Sequence, residues 1–342
     1  MTGPTLRRRP AGIGLGWAGW LVAALLLVAC SATSSGSGSP GAPDSATPGP
    51  TVRLYTSYSQ PEVDALVAAF HAVEPTVGVE VFRAPTGQLN ARIAAEERSG
   101  GVRGDVLLLS DPLSMQQYAA RGMLRRWSPP EAHVVPPEAR SDTFWGVTTS
   151  NVVVVHRPGE GPVSWQDLTD PRYRDGVALP DPSFAGSAFG ALGYFALADG
   201  YGLDYYRRLK ANGAVQVQAP GDVITGVAEG RFVAGMTLDF LARAAIAKGS
   251  PLQVSAPAPG AVHLFAPVAV FQASTRAESA ESFAGFLLTR PAQQVLADLD
   301  RHPIRADVPV TAPPVQEVVP AWLLIFAQQA ELQAEYRAIF GG

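Results

Sequence analysis

Gly186, Ser187 and Ala188, with Ser183 a turn ahead of them, stand immediately before the apolar run 189–197. Small residues at a helix start leave the first backbone N–H groups open, and those groups carry partial positive charge, so an anion can be held there. Four other stretches bring hydroxyls to the ends of expected strands: Thr56-Ser57-Tyr58, Thr86-Gly87, Ser110-Asp111 and Thr148-Thr149-Ser150-Asn151. Asp239, heading the run 241–247, offers a carboxylate to a cation. These residue types suit reversible capture of a small charged molecule. Plainer roles stand beside each: Ser, Thr and Asp at helix starts serve as caps, Asp111 before Pro112 suits a turn, and Tyr58 suits either a cleft wall or an exposed ring. The candidate binding residues are Thr56, Ser57, Tyr58, Thr86, Ser110, Asp111, Thr149, Ser183, Gly186, Ser187, Ala188 and Asp239.

Covalent chemistry is poorly served. Ser187 is preceded two positions earlier by Ala185, so the Gly-x-Ser-x-Gly elbow that activates a hydrolase serine is missing. His71, His133, His156, His263 and His302 show no metal-ligand spacing, and no phosphate-binding Gly-rich loop ending in Lys-Ser or Lys-Thr occurs. The expectation is a non-enzymatic protein without metal or cofactor. A hydrolase assembled from distant residues is the alternative.

The N-terminus speaks to location. Arg7, Arg8 and Arg9 precede the apolar run 17–29, which closes as Leu27-Val28-Ala29-Cys30. A charged start, a short apolar stretch and small residues before a cut make a secretory signal, and the last four residues resemble a bacterial lipobox, whose Cys is lipidated. Residues 1–29 are expected to be a lipoprotein signal peptide and 30–50, rich in Ser, Gly, Pro, Ala and Thr, a flexible tether. An uncleaved anchor helix is the other reading, disfavoured by its length. Cys30 is the only cysteine, so no intramolecular disulfide can form. Loss of three arginines takes the formal charge from −4 to −7, and no basic block interleaved with aromatics remains, which argues against nucleic acid.

Beyond residue 51 strand and helix patterns alternate, on a chain long enough for two packed lobes. Residues 52–57 read as a strand, Val63, Leu66, Val67 and Phe70 as one helix face behind a Ser59–Glu62 capping box, and Val77, Val79 and Val81 as a strand. A helix after Thr86-Gly87, a buried strand at 105–109 and a helix at 113–121 stopped by Gly122 complete a βαβαβ series, hence an α/β lobe with a largely parallel sheet. A second α/β region follows, with strands at 152–155, 177–179 and 232–237 and helices at 187–198, 203–211, 222–229 and 239–248. The apolar strand 266–271 lets the chain cross back, which would make a two-stranded hinge. The stretch 279–297 is helical with Pro291 interrupting it, and 318–339 is a last helix.

Leu54-Tyr55-Thr56-Ser57 before a capped helix, Gly104-Asp105-Val106 leading to Ser110-Asp111, Trp165-Gln166-Asp167-Leu168 before Asp170-Pro171, Asp181-Pro182-Ser183 before Gly186-Ser187-Ala188, Leu209-Lys210-Ala211-Asn212-Gly213, and Phe286-Leu287-Leu288 occur in this order. Together they resemble the extracellular solute-binding proteins of ABC importers, in the ferric-iron and phosphonate-type branch. The resemblance covers essentially the whole body. It implies a type II periplasmic-binding fold of two lobes closing on a solute: 51–150 and 265–312 forming lobe 1, 151–264 forming lobe 2, and 313–342 a C-terminal helical segment on lobe 2. It also implies partners, a membrane permease with its ATPase, and a monomer anchored by lipid on the periplasmic or extracellular face. In the resembled family the turn equivalent to Gly186-Ser187-Ala188 binds an anion. Iron-binding members use a Tyr pair where this chain has Thr237-Leu238-Asp239-Phe240, and His and Glu near Ser59 and Ser110, so that ligand set is missing. Tyr205-Tyr206 lies in the wrong place and suits packing. The expected solute is a small phosphonate- or phosphate-like anion such as 2-aminoethylphosphonate, with Asp239 free for its amine. Other readings are a ferric-iron or other solute receptor, a signalling or scaffold lipoprotein, and a secreted hydrolase.

Overall fold

The computed structural model describes residues 49–159 and 161–341. The expected signal peptide, Cys30 and most of the expected tether lie outside the described residues. In chain order the elements are β1 (Thr51–Thr56), α1 (Gln60–Val73), β2 (Gly78–Arg83), α2 (Thr86–Arg98), β3 (Val106–Leu108), α3 (Pro112–Ala120), β4 (Phe144–His156), β5 (Val177–Pro180), α4 (Gly186–Leu197), α5 (Gly202–Ala211) and β6 (Val215–Val217). They continue as α6 (Pro220–Ala228), β7 (Ala234–Leu238), α7 (Asp239–Ala247), β8 (Gln253–Ser255), β9 (Ala261–Val270), α8 (Ala277–Phe286), α9 (Arg290–Asp298), β10 (His302–Pro303), β11 (Glu317–Val318) and α10 (Trp322–Phe340). Among the described residues no helix is long and apolar enough to cross a membrane.

The strands run β2-β1-β3-β9-β4-β7-β5-β6. At one end β2, β1 and β3 are parallel, as the βαβαβ reading requires; at the other β5 lies parallel to both β6 and β7. Two long antiparallel strands join the ends. The first part of β4 pairs with β9, from Phe144 opposite Ala269 to Val152 opposite Val262, and its last part pairs with β7 and β8. β9 reaches β3 through Val268, Ala269 and Val270. The chain therefore crosses between the two halves twice, by continuous strands.

Local signals explain most elements. The carboxylate of Glu62 accepts from the Ser59 amide at 2.7 Å, closing the start of α1, whose Val63, Leu66 and Phe70 are buried. Phe70 meets Phe283 of α8 at 5.0 Å between ring centroids, tying the first helix to the returning chain; such pairs add about 0.5–1.5 kcal/mol beyond burial. Gly122 follows α3 at φ +68°, a conformation that costs a glycine little. Pro291 starts α9 rather than kinking one long helix.

Two readings need correction. Residues 148–151 are not a loop: they lie within β4, a run of aromatic and β-branched side chains that suits a pleated strand better than its hydroxyls suggest. The last helix begins at Trp322, because Val318 pairs in β11 and Pro320 intervenes. It lies against α3 as well as α4 and α5.

Candidate functional site

The ends of β1, β2 and β3 converge on one hydroxyl cluster. The Ser57 hydroxyl accepts from the Ser110 amide at 3.0 Å and donates to Ser110 Oγ at 3.2 Å, and Thr86 Oγ1 lies 3.5 Å from the same oxygen. Thr56 is fully buried beneath them and accepts from the Tyr58 amide. These are strand ends followed by helix starts, the position where open α/β sheets bind ligands.

Facing the cluster is the start of α4. Its N-cap, Ala185, has no capping side chain, and Gly186, Ser187 and Ala188 are buried. The two halves touch here directly. The Gly87 amide donates to the Phe184 carbonyl at 3.3 Å, and a methyl group on Gly87 would overlap the Ser183 carbonyl. A methyl group on Gly186 would overlap the Asp111 carboxylate. Two glycines thus permit a close seam, leaving a cavity of 30 Å³ bordered by Thr86, Asn90, Ser114, Ser183 and Gly186. At about 15 Å³ per water that is room for two waters, so the structure represents the closed arrangement. A wider groove of 690 Å³ lies by Phe144, Phe265 and Trp322 and contains none of the sequence-derived candidates.

Asp111 is wholly buried in the seam. Its Oδ1 accepts from the Ser114 amide at 2.8 Å, capping α3, while Oδ2 has no hydrogen-bond partner. Burial pushes the carboxyl up from 3.8 to about 6, the bonds from Ser114 and Leu113 offsetting only part of the desolvation. A raised folded value means that the stability this group contributes is complete below pH 3.8 and is lost as pH rises through about 6. Asp111→Asn is therefore expected to stabilise the ligand-free protein at pH 8 by roughly 2–3 kcal/mol, at 1.36 kcal/mol per unit, and to have little effect at pH 4. Urea midpoints of the two proteins at both pH values check this; a difference independent of pH would show the carboxylate to be solvated.

Three candidates stand elsewhere. Tyr58 turns away from the hydroxyl cluster, and its OH lies 2.7 Å from Thr148 Oγ1. Thr149, next along β4, projects to the opposite face, since strand side chains alternate; Thr148 is the one sequence reading missed. Asp239 is not free for a ligand cation. Its Oδ1 accepts from the Asn151 and Phe240 amides at 3.1 and 2.8 Å, and its Oδ2 lies 3.1 Å from Arg243 Nη1 and 3.0 Å from His302 Nε2. Burial pushes this carboxyl up, but His302, Asn151 and Arg243 outweigh it and hold it below the usual range.

Arg301 was also invisible in the sequence. It is 5 % exposed, with its guanidinium carbon 4.7 Å from the Tyr58 ring centroid and 4.0 Å from that of Phe240. Nη2 donates to Thr148 Oγ1 at 2.8 Å, and Nε lies 3.3 Å from Glu62 Oε1. Phe240 belongs to α7 and Tyr58 follows β1, so this cation joins the two halves. Tyr205 and Tyr206 are core residues: Tyr205 donates to the Trp165 carbonyl at 2.7 Å, and Tyr206 packs on Tyr336. Among the described residues no group of three or more His, Cys, Asp or Glu is arranged to hold a metal ion.

Solved structures share this architecture. Iron-bound HitA from Pseudomonas aeruginosa is 19% identical, with 84% of this chain and 99% of that one covered at a TM-score of 0.74. AfuA from Actinobacillus pleuropneumoniae, with fructose-6-phosphate bound, is 17% identical, with 85% and 98% covered at 0.76. The ferric binding protein from Campylobacter jejuni is 15% identical, with 84% and 99% covered at 0.75. At these identities the likeness is one of fold, the two-lobed type II periplasmic-binding fold. An uncharacterized protein of Haemophilus influenzae is 28% identical over 140 residues, so the match spans 40% of either chain. Residues 52–298 match the family model of the bacterial extracellular solute-binding proteins, and the chain belongs to that family.

Proposed function

We propose that this protein is the solute receptor of an ABC importer, held to the cell envelope by lipid on Cys30, and that it captures a small organic anion bearing a phosphonate- or phosphate-like group for a permease and its ATPase. The observation that carries the reading is the uncapped start of α4, which shares a small cavity across the seam with Thr86, whose hydroxyl lies beside that of Ser110. Free N–H groups with a positive helix end, faced by neutral donors, suit a multivalent oxyanion. AfuA, of the same fold, is a sugar-phosphate complex.

Ferric iron is the second reading, prompted by HitA and the Campylobacter protein. It is less well served by this chain: an oxygen-rich iron site needs several anionic ligands, the seam offers Asp111 as an unpartnered carboxylate, Asp181 is bonded to the Ser183 amide, and Asp239 is already paired. A thermal-shift comparison of ethylphosphonate, inorganic phosphate and ferric citrate separates the two. A ligand at a hundred times its Kd adds about 2.7 kcal/mol of apparent stability, so the expected result is a raised Tm with the phosphonate or phosphate. A visible tyrosinate-to-iron band, or stabilisation by ferric citrate alone, would overturn the anion reading.

A further inference from the structure

The Asp111 carboxylate poses a problem that capping does not solve. Capping α3 uses Oδ1; Oδ2 is buried, has no hydrogen-bond partner, and rests against Gly186 at the first turn of α4. A buried anionic oxygen left unpaired is costly. The nearby polar groups cannot repay it. Ser114 lends its amide to Oδ1, Asn90 Nδ2 is directed to Ser114 Oγ at 3.4 Å, and Tyr118 donates to Asn90 Oδ1 at 2.7 Å. The Ser114 hydroxyl and the Leu113 amide also favour this carboxylate but do not offset its burial, and the further complement that Oδ2 meets is the positive end of α4, the same group to which the anion reading assigns the solute.

Two half-satisfied poles therefore face each other across the seam: a carboxylate on one half and a 12-residue helix with an uncapped start on the other. A solute entering between them separates the two. An anionic group takes over the start of α4, and Asp111 then faces whatever the solute presents at its other end. A simple anion would leave the carboxylate without its complement and repelled. A molecule carrying an ammonium group beside its oxyanion would satisfy both. Asp239 cannot serve this purpose, because Arg243 and His302 already hold it, and Asp181, beside the start of α4, accepts from the Ser183 amide at 2.7 Å.

We propose that Asp111 and the start of α4 form a bipolar site for a zwitterion, with Oδ2 of Asp111 binding the ammonium group and the α4 amides binding the phosphonate-like group. The inference rests on the anion reading above and adds to it the residue that sets preference. Asp111 selects against plain anions and for amine-bearing ones. The hydroxyls of Ser57, Thr86 and Ser110 contribute to both classes alike.

Calorimetry with 2-aminoethylphosphonate and with ethylphosphonate, on wild type, Asp111→Asn and Asp111→Ser, tests this. Serine retains the α3 cap if asparagine disturbs it. Wild type is expected to prefer the aminophosphonate by tenfold or more. Both variants are expected to lose that preference, binding the aminophosphonate at least tenfold more weakly and ethylphosphonate as tightly as before or more so. If wild type binds both equally, or if the preference survives in a folded variant, the role of Asp111 falls while the anion reading stands. If wild type binds neither, both fall together.

Discussion

Arg301→Met is expected to destabilise the protein by about 3–5 kcal/mol, the usual consequence of removing one partner from a buried ion pair. Glu62 is 7 % exposed, and its Oε1 lies 3.3 Å from Arg301, the one cation within 4 Å of it among the described residues. Without the guanidinium that oxygen is a buried charge with no counterpart. Methionine fills similar space, so packing loss stays small and the charge effect dominates. The double variant Glu62→Gln with Arg301→Met should recover at least half of the loss, because neighbouring residues couple and the uncompensated charge has been removed. Urea denaturation reads both. A single-variant loss under 1 kcal/mol, or no recovery in the double variant, would mean that water reaches Glu62.

Gly87→Ala should act on closure and leave the fold alone. The added methyl meets the Ser183 backbone carbonyl, and Gly87's own amide donates to Phe184 across the seam, so neither side has a flexible atom to move aside. Overpacking of this kind costs about 1–3 kcal/mol, and here it falls on the closed state only. Since solute binding draws on that state, affinity should drop by roughly ten- to a hundredfold, while the ligand-free protein escapes the overlap by opening and loses at most the free energy that holds its seam shut. Calorimetry with the best-stabilising phosphonate, joined to small-angle scattering, measures this: wild type should be more compact with ligand than the variant. Equal affinity and equal radius of gyration would show that the seam opens and closes elsewhere.

What the sequence revealed was local. Alternation at Val77, Val79 and Val81, the Ser59–Glu62 pair, Gly122 and Pro291 each act within a few residues, and each marks an element correctly. The hydroxyl cluster was legible too, because strand ends in a parallel sheet fall on one side. Arg301 was not, since its meaning depends on Glu62, Tyr58, Thr148 and Phe240, all distant in the chain; an arginine between Asp300 and His302 looks like surface. Asp239 misled for a related reason. Its partners Arg243 and His302 come from a helical turn later and from the returning chain. The hydroxyls at 148–151 read as a loop in the sequence, and only the alternation of β4 separates Thr148 from Thr149.

The pairing of β3 with β9 sets residues 106–108 against residues 268–270. At about 5–20 residues per second of synthesis, the growing chain waits roughly ten to thirty seconds between making the first strand and making its partner. Until then β3 has β1 on one edge and nothing on the other, α1 lacks the rings of α8, and Glu62 lacks Arg301. Contacts so far apart in sequence form late, after a large loss of chain entropy. The N-terminal half is thereby kept from setting into a finished structure while the rest is still being made. The order of the strands, more than any single residue, sets that delay.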